Sequence, residues 1–302
     1  MTRAMKEFGS KTTAEEVTAG MDLTGKTYLI TGCNSGLGKE TMRVLAARGA
    51  QVLGCARSEE KARAACDSVE GDTLPFQCEL SEPESARACA EAVRAAGIEL
   101  DGVICNAGIM APKMTLYHGY ESQFLVNHVG HFILTTGLLE QLKDTGRVVM
   151  VSSYAHRMAG GKGIDFENLD CSKGYNDWRF YGQSKLANVL FARSLARRFE
   201  EQGTSQVALA LHPGVINTEL GRHMNGVLRW AMGLGGKLFF KTTEQGAATQ
   251  VLAATHPEAG EKNGGYLKDC QWKKPSTQGQ NDELSAALWT RTEEIVDELL
   301  GT

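Results

Sequence analysis

Long apolar runs, a secretory leader and an excess of one charge are all lacking in this sequence. No run of about 18 or more consecutive apolar residues occurs, so we expect no transmembrane segment. Residues 1–20 are polar and mixed in charge, without the apolar centre of a signal peptide. The formal net charge of −4 gives no general attraction to nucleic acid or to an anionic membrane. We therefore expect a cytoplasmic protein that binds no nucleic acid.

Paired cysteines and clusters of metal ligands are also missing. The eight cysteines include no Cys-x-x-Cys pair, and Cys55, Cys78 and Cys105 fall inside apolar, strand-like runs. This usage favours buried free thiols in a reducing compartment. His128 and His131 stand three positions apart, but no further Cys or His cluster accompanies them, so we expect no metal site.

Strand-like and helix-like segments alternate along the chain of 302 residues, which is long enough to bury one large core. Residues 1–24 are expected to form an N-terminal arm that docks or frays. The predicted strands are 26–31, 51–55, 73–79, 102–105, 147–152, 206–211 and a short one near 265–266. The predicted helices are 39–48, 59–66, 82–96, 121–142, 178–202 and 282–300. The alternation predicts an α/β fold: a single-domain Rossmann-type doubly wound sheet of about seven mostly parallel strands, with helices on both faces.

A glycine-rich turn after the first predicted strand is a candidate binding site. Gly32, Gly36 and Gly38 separate the strand from a helix whose first N–H groups and dipole favour an anion such as a pyrophosphate. Glycines are needed where a Cβ would keep the backbone away from the phosphates. The other predicted cofactor contacts in this turn are Asn34, Ser35 and Leu37.

The position after the second strand indicates which dinucleotide this turn would bind. A free adenosine ribose is usually met there by Asp or Glu, but this chain has Arg57 and Ser58. A guanidinium can hold a 2′-phosphate with two hydrogen bonds, whereas a carboxylate would repel it. The sequence therefore favours NADP(H) over NAD(H), with a solvated surface role for Arg57 as the alternative. Further predicted cofactor contacts at later strand ends are Glu79, Leu80, Asn106, Ala107 and Gly108.

A serine, a tyrosine and a lysine form the candidate catalytic group. Ser153 follows the fifth predicted strand, while Tyr181 and Lys185 stand four positions apart on one face of a helix. A nearby ammonium stabilises phenolate and lowers the pKa of a tyrosine toward the working pH. Ser153 could hold a substrate carbonyl oxygen while Tyr181 delivers a proton. Asn127 lies among apolar residues of the preceding helix, where a polar side chain fits poorly unless it is satisfied or functional.

The turn after the sixth predicted strand completes the candidate site. Pro213 and Gly214 force the chain to turn at the carboxyl edge of the sheet, where a nicotinamide would lie. Val215 follows this turn, and Thr218 is expected to contact the carboxamide or the pyrophosphate.

Together these motifs resemble those of the short-chain dehydrogenase/reductase family. The resemblance covers roughly residues 24–300 and is carried by the glycine turn, Asn106-Ala-Gly108, Asn127, Ser153, Tyr181-x-x-x-Lys185 and Pro213-Gly214. Residues 126–132, 152–156, 211–214 and 264–270 are similar to the retinol dehydrogenase-like branch of that family. Cys105 and Glu79 depart from the Asn and Asp that are usual in the family at those places.

The resemblance implies roles for the candidate residues. Tyr181 would be the general acid/base, Lys185 would lower its pKa and hold the nicotinamide ribose, and Ser153 would position the carbonyl. Asn127 would support a water-linked proton relay to Lys185, and hydride would pass between the nicotinamide and the substrate carbon. Residues 25–302 would then form the catalytic domain.

A segment at about residues 219–245 is the candidate substrate lid. Residues 224–240 carry Met, Leu, Trp and Phe between glycines, which suits a bulky hydrophobic carbonyl or alcohol that is steroid-, retinoid- or polycyclic-like. Packing of this segment on the core or on a second subunit is one alternative. Peripheral membrane contact is another, helped by Arg222, Arg229, Lys237 and Lys241.

The predicted function is NADP(H)-dependent interconversion of a carbonyl and an alcohol. An NADP(H)-binding regulatory or scaffold protein with little turnover is the alternative, and the intact catalytic group argues against it. The order around Ser35 does not form the Gly-x-Ser-x-Gly elbow of an α/β hydrolase. The helices that carry Asn127 and Tyr181 often form dimer interfaces in the family, and both a homodimer and a monomer are consistent with the sequence.

Overall fold

Eight strands form one sheet through the middle of the protein in a computed structural model, which describes residues 3–110, 113–216 and 240–301. In chain order they are β1 Thr27–Thr31, β2 Gln51–Ala56, β3 Thr73–Gln77, β4 Leu100–Cys105, β7 Leu142–Val151, β8 Val207–His212, β9 Tyr266–Lys268 and β10 Gln271–Lys273. A separate hairpin consists of β5 Leu116–Tyr117 and β6 Tyr120–Glu121. The sheet order is β10-β9-β8-β7-β4-β1-β2-β3, and the β9–β10 pair is antiparallel while all other neighbours are parallel.

Helices connect the strands and cover the sheet. They are α1 Ala14–Val17, α2 Gly36–Ala46, α3 Glu59–Asp67, α4 Pro83–Ala95, α5 Ser122–Phe124, α6 Gly130–Thr136, α7 Asp177–Gln202, α8 Thr243–Thr255, α9 Pro257–Gly260 and α10 Asp282–Leu300. A π-helical turn, Leu125–Val129, joins α5 to α6, and a 3₁₀ turn, Tyr154–Met158, follows β7. Two apolar cores result, one on each face of the sheet, because the parallel strands are apolar on both faces.

The order in which strands are added to the sheet reverses between β1 and β4, which are neighbouring parallel strands. After β1 it builds β2 and β3 on one side, and it then returns to place β4 on the other side of β1. In open parallel sheets ligands bind in the crevice at the carboxyl ends of strands at such a switch point. The sequence prediction of a single-domain, doubly wound α/β sheet is confirmed, with eight strands in place of about seven.

Several predicted element boundaries were wrong. The helix predicted at 121–142 ends at Thr136, and the strand that follows already begins at Leu142. Helix α8 was not predicted, because residues 246–254 are buried without interruption and leave no polar face to give a helical period. Strand β10 was also missed, since three residues are too short for a clear alternation.

The N-terminal arm docks on the core within its described residues. Met5, Phe8 and Val17 are buried in the apolar core that includes α8. The side-chain amide of Gln271 donates to the Phe8 carbonyl at 2.8 Å, and His256 Nε2 hydrogen-bonds the Arg3 carbonyl at 2.9 Å. The division into an arm and a catalytic domain stays a prediction. Most of the predicted substrate lid lies outside the described residues.

Within residues 3–110, 113–216 and 240–301, no helix has the length and apolar character needed to cross a membrane. All eight cysteines are buried and free, which confirms the expectation of buried free thiols.

Candidate active site

The glycine turn lies between β1 and α2 at the switch point. Gly32 and Gly36 have φ of +71° and +54°, a conformation that side chains with a Cβ rarely adopt. A Cβ on Gly38 would collide with the Gly32 carbonyl oxygen and would stand 2.6 Å from Asn106 Nδ2. Ser35 occupies the N-cap of α2, but its side chain makes no capping hydrogen bond. The first N–H groups of α2 are therefore available to an anion, and the backbone can approach it closely.

The remaining predicted contacts of this turn have different environments. Asn34 and Ser35 are exposed at the edge of the crevice, whereas Leu37 is half-buried. Gln250 of α8 lies beneath them and donates to Thr41 Oγ1 at 2.6 Å and to Asn106 Oδ1 at 3.2 Å. Gln250 thus links the start of α2 to the end of β4. Sequence reasoning missed it, because it lies in a helix whose pattern was not recognised.

Arg57 follows β2 and projects into solvent. Within the described part of the chain it makes no ion pair with a carboxylate, in contrast to the neighbouring Arg63, which pairs with Glu59 at 2.7 Å. Ser58 caps α3 by accepting from the Lys61 N–H at 3.4 Å, so it has a structural role of its own. The guanidinium of Arg57 is therefore free to meet a phosphate at this end of the crevice.

The loop after β3 holds Glu79 and Leu80. The Glu79 carboxylate accepts from the N–H and the hydroxyl of Ser81, at 3.2 and 2.9 Å, which satisfies Oε1 locally. Leu80 is buried and packs against Gly130 at the start of α6. These contacts hold the loop against α6, and they do not test the predicted contact of Glu79 with the cofactor.

The end of β4 is tied to the end of β1. Thr31 Oγ1 accepts from the N–H groups of Asn106 and Ala107, each at 3.0 Å, and the Asn106 amide donates to the Thr31 carbonyl at 2.9 Å. Asn106, Ala107 and Gly108 therefore follow a fixed path beside the glycine turn. Thr31 was not singled out from the sequence, although its position at a strand end was a usable signal.

Asn127 lies in the π-helical turn and is fully buried. Its amide forms two hydrogen bonds with the backbone of Ile109, accepting from the N–H at 2.7 Å and donating to the carbonyl at 2.9 Å, and it donates to Ser184 Oγ at 3.0 Å. The Asn127 carbonyl accepts from His131 Nδ1 at 3.0 Å. Both the side chain and the backbone of Asn127 are therefore held in place, which accounts for a polar residue at this position.

Tyr181 and Lys185 lie one turn apart on α7 and face the end of β7. Lys185 Nζ stands 5.8 Å from the centre of the Tyr181 ring and donates to the Val151 carbonyl at 3.2 Å. The Ser153 side chain lies close enough to the Tyr181 side chain to lower the pKa of its phenol. The three predicted catalytic side chains therefore converge at the carboxyl edge of the sheet. Gly182 lets α7 approach the turn that follows Ser153, since a Cβ there would stand 2.7 Å from the Ala155 carbonyl oxygen.

Burial shifts the pKa values of the tyrosine and the lysine. It raises the pKa of Tyr181, and the nearby Ser153 side chain opposes that rise. It lowers the pKa of Lys185 to about 8, so the lysine is still mostly cationic near neutral pH. The lowering of the tyrosine pKa by Lys185, which the sequence led us to expect, is not seen in this structure and stays a prediction for the enzyme with cofactor.

The turn after β8 carries the last group of predicted contacts. Pro213 is buried, Gly214 has a φ of +109°, and Val215 is half-exposed at the crevice. The Val215 carbonyl accepts from the Lys241 N–H at 2.9 Å, where the chain returns to the sheet. Thr218 lies outside the described residues.

The arrangement as a whole brings to one edge of the sheet a glycine turn, the exposed guanidinium of Arg57, which has no ion pair among the described residues, and the buried side chains of Tyr181 and Lys185. Among the residues that the structure describes, no group of three His, Cys, Asp or Glu side chains could hold a metal ion. The fit of the residues to a dinucleotide rests on the glycine turn. Gly36 faces open space that a side chain would enter, whereas Gly32 and Gly38 let the turn pack closely on itself and on Ala107 and Asn106.

Comparisons with known proteins agree with this geometry. The family model described as short chain dehydrogenase matches residues 26–226. Short-chain dehydrogenase TIC 32 B, chloroplastic, from Brassica napus is 36% identical and covers 97% of this chain and 95% of its own. Retinol dehydrogenase 12 from Mus musculus is 40% identical and covers 94% of this chain and 89% of its own.

Solved structures share the fold. An uncharacterized protein from Mycobacterium Paratuberculosis superposes with a TM-score of 0.76 at 31% identity, covering 98% of each chain. The angucycline C-6 ketoreductase LanV, solved with bound NADP, superposes with a TM-score of 0.66 at 23% identity, covering 82% of this chain and 95% of its own.

The fold and the site define an oxidoreductase that acts on CH–OH and C=O groups. The family match covers more than half of the sequence, and the relatives align with nearly the whole of it. The chain belongs to the short-chain dehydrogenase/reductase family, and within that family it is retinol dehydrogenase-like.

Proposed function

We propose that this protein is an NADP(H)-dependent oxidoreductase that interconverts a carbonyl and an alcohol on a bulky hydrophobic substrate. The observation that carries the proposal is the convergence of Ser153, Tyr181 and Lys185 beside the glycine turn. These groups can hold a carbonyl oxygen, exchange a proton with it and place a cation close by.

NADP(H) is the proposed cofactor, and when bound it supplies or accepts the hydride. The uncapped N–H groups at the start of α2 fit the pyrophosphate, and the exposed Arg57 guanidinium, without an ion pair in the described part of the chain, fits a 2′-phosphate. Neighbours of the same fold have been solved with NADP bound, among them LanV and a short chain dehydrogenase from Burkholderia cenocepacia J2315. They support a nicotinamide cofactor at this edge of the sheet.

Proton transfer is assigned to Tyr181. In the direction of reduction its phenol donates to the substrate oxygen, and in the direction of oxidation the phenolate accepts the proton. Ser153 orients that oxygen, and the Lys185 ammonium stabilises the phenolate and holds the nicotinamide ribose. Asn127 is proposed to support a relay to Lys185, because its Oδ1 and Lys185 Nζ both lie against Gly108.

A hydrophobic substrate is supported by apolar side chains that remain exposed around the site. Tyr154, Met158 and Val215 are 56%, 47% and 52% exposed, and they follow β7 and β8 on the same edge as Ser153. Exposed apolar groups beside a catalytic site favour an apolar ligand. The names of retinol dehydrogenase 12 and the angucycline ketoreductase point to bulky, ring-containing or retinoid substrates for those proteins. We infer a steroid-, retinoid- or polycyclic-like carbonyl or alcohol here.

The first experiment follows the absorbance of the reduced nicotinamide with a panel of apolar ketones and aldehydes, with NADPH and NADH in parallel. Turnover with NADPH and little with NADH supports the proposal. Equal or better use of NADH would contradict NADP(H) as the cofactor, but it would not contradict the proposed roles of Ser153, Tyr181 and Lys185.

Tyr181→Phe separates an enzyme from a cofactor-binding protein with little turnover. The variant should lose turnover and bind NADPH nearly as tightly as the wild type, because it removes one hydroxyl and leaves the turn and Arg57 intact. Unchanged turnover would overturn the assignment of Tyr181. Location in the cytoplasm and the choice between homodimer and monomer stay predictions.

A further inference from the structure

Two buried histidines contact the peptide bond that follows Ser153. The Ser153 carbonyl lies 2.6 Å from His156 Nδ1, and the Tyr154 N–H donates to His212 Nδ1 at 3.2 Å. One imidazole therefore meets the C=O and another the N–H of a single peptide group. Neither histidine takes part in the proton or hydride transfer proposed above.

The hydrogen bonds fix the tautomer of His156. Its Nε2 accepts from the backbone N–H of Ser276 at 2.9 Å, so this nitrogen carries no proton. A neutral imidazole then has its proton on Nδ1, which donates to the Ser153 carbonyl. The ring is 1% exposed, and burial lowers the pKa of His156, in keeping with a neutral ring.

His212 has the opposite arrangement. Its Nδ1 accepts from the N–H groups of Tyr154 and Gly214, at 3.2 and 3.5 Å, so the proton of the neutral ring is on Nε2. Burial lowers the pKa of His212 to about 4, with Lys268 and Lys241 acting in the same direction. One histidine is thus a donor to the peptide and the other an acceptor from it.

The pair restrains the direction of the catalytic serine. The Ser153–Tyr154 peptide plane adjoins the Ser153 Cα, so holding both of its polar groups restrains ψ of Ser153 and with it the direction of the Cα–Cβ bond that carries the hydroxyl. His212 also accepts from the Gly214 N–H, so it connects the Ser153–Tyr154 peptide to the turn after β8 that is predicted to meet the nicotinamide. His156 connects the same peptide to Ser276, on the segment between β10 and α10.

We propose that His156 and His212 are positioning residues that clamp the Ser153–Tyr154 peptide and so align Ser153 with Tyr181. The proposal rests on the proposed function, because Ser153 must be part of the reaction for its alignment to matter. A displacement of a reacting group by about 1 Å can lower turnover by about a hundredfold, so such a clamp is measurable.

Asparagine and leucine substitutions at each histidine provide the test. In Asn, Oδ1 can take the place of the accepting Nδ1 of His212, and Nδ2 can take the place of the donating Nδ1 of His156. Leu fills the space without polar atoms. We expect His212→Leu and His156→Leu to lower kcat by about tenfold to a hundredfold, with the Kd for NADPH changed by less than about threefold. The corresponding Asn variants should recover most of kcat. Leu variants with kcat within about twofold of wild type would overturn the clamp.

His256→Leu is the matched control. His256 is also a buried histidine with a backbone partner, the Arg3 carbonyl, but its own carbonyl accepts from Arg147, which stands in the middle of β7, six positions before Ser153. This variant should lower thermal stability and leave kcat per folded molecule unchanged. If kcat falls in proportion to stability in all three Leu variants, the histidines support folding only, and the proposal fails.

Imidazole ¹⁵N resonances test the clamp without reference to turnover. In the full chain labelled at histidine, near neutral pH, His156 should show a protonated Nδ1 and His212 a protonated Nε2, with assignments from the Asn variants. The reverse tautomer or a cationic ring at either residue would overturn the clamp. A wild-type protein with these tautomers and no turnover on any carbonyl would count against the proposed function instead.

Discussion

Gly108 faces the ammonium group of Lys185 at the centre of the site. A Cβ added to Gly108 would stand 3.0 Å from Lys185 Nζ and 3.1 Å from Asn127 Oδ1. Neither neighbour can move freely, since Lys185 Nζ donates to the Val151 carbonyl at 3.2 Å and Asn127 Oδ1 accepts from the Ile109 N–H at 2.7 Å. The absence of a side chain at 108 is therefore what leaves room for the lysine and the asparagine in these positions.

Gly108→Ala should accordingly impair catalysis. We expect kcat to fall by about tenfold or more, because the added methyl group displaces Lys185 or Asn127. Steady-state kinetics with saturating NADPH measures the effect. Gly9→Ala is the control, since no atom lies within 4 Å of a Cβ there, and it should leave kcat unchanged. Equal kcat values for the two variants would show that the contact at Gly108 has no catalytic consequence.

Arg57→Ala should reduce the preference for the phosphorylated cofactor. A charge-assisted contact is worth about 1.5–3 kcal/mol, so the KM for NADPH should rise by about tenfold to a hundredfold. The KM for NADH should change little, because that cofactor carries no 2′-phosphate. Arg63→Ala, which removes an exposed guanidinium paired with Glu59, is the control and should affect neither cofactor. A similar rise for NADPH and NADH would locate the phosphate contact elsewhere.

The parts of the site that could be predicted from the sequence are those set by local spacing. Tyr181 and Lys185 share a helix face because they stand one turn apart, and the glycine turn is bounded by a strand and a helix within a few residues. Asn127 was expected to be either satisfied or functional, and the structure shows that it is satisfied by Ile109 and Ser184. Its catalytic role stays a prediction.

The parts that could not be predicted depend on contacts between distant segments. Gln250 meets Thr41 across 209 positions of sequence, and His156 meets Ser276 across 120. No local pattern marks such residues, because a buried polar side chain on an apolar element gives the same sequence signal whatever its partner is. The structure was needed to identify what each of them holds.

Thr31→Val should destabilise the protein through the turn after β4. Valine has nearly the shape of threonine but cannot accept from the N–H groups of Asn106 and Ala107 or bond to His131 Nε2. The Asn106 N–H keeps the Ile104 carbonyl as an acceptor, whereas the Ala107 N–H and His131 Nε2 would lose their partner. We expect the free energy of unfolding to fall by about 2–4 kcal/mol, measured by denaturant titration. Thr27→Val is a control on the same strand, because no hydrogen bond of its hydroxyl is seen within the described chain. A loss at Thr31 no larger than that at Thr27 would contradict the role of the hydroxyl.

The affinity for NADPH should depend on pH through Lys185. Burial lowers the pKa of this lysine from 10.5 to about 8, so the free enzyme carries the ammonium below that pH and loses it above. If the ammonium holds the nicotinamide ribose, the Kd for NADPH should be constant below about pH 8 and should rise by up to about tenfold per pH unit above it. Fluorescence titration from neutral to alkaline pH measures this, with circular dichroism to establish that the protein stays folded. Lys185→Met should bind NADPH weakly with no inflection near pH 8. A flat Kd for the wild type up to about pH 10 would mean that the ammonium contributes nothing to binding the ribose.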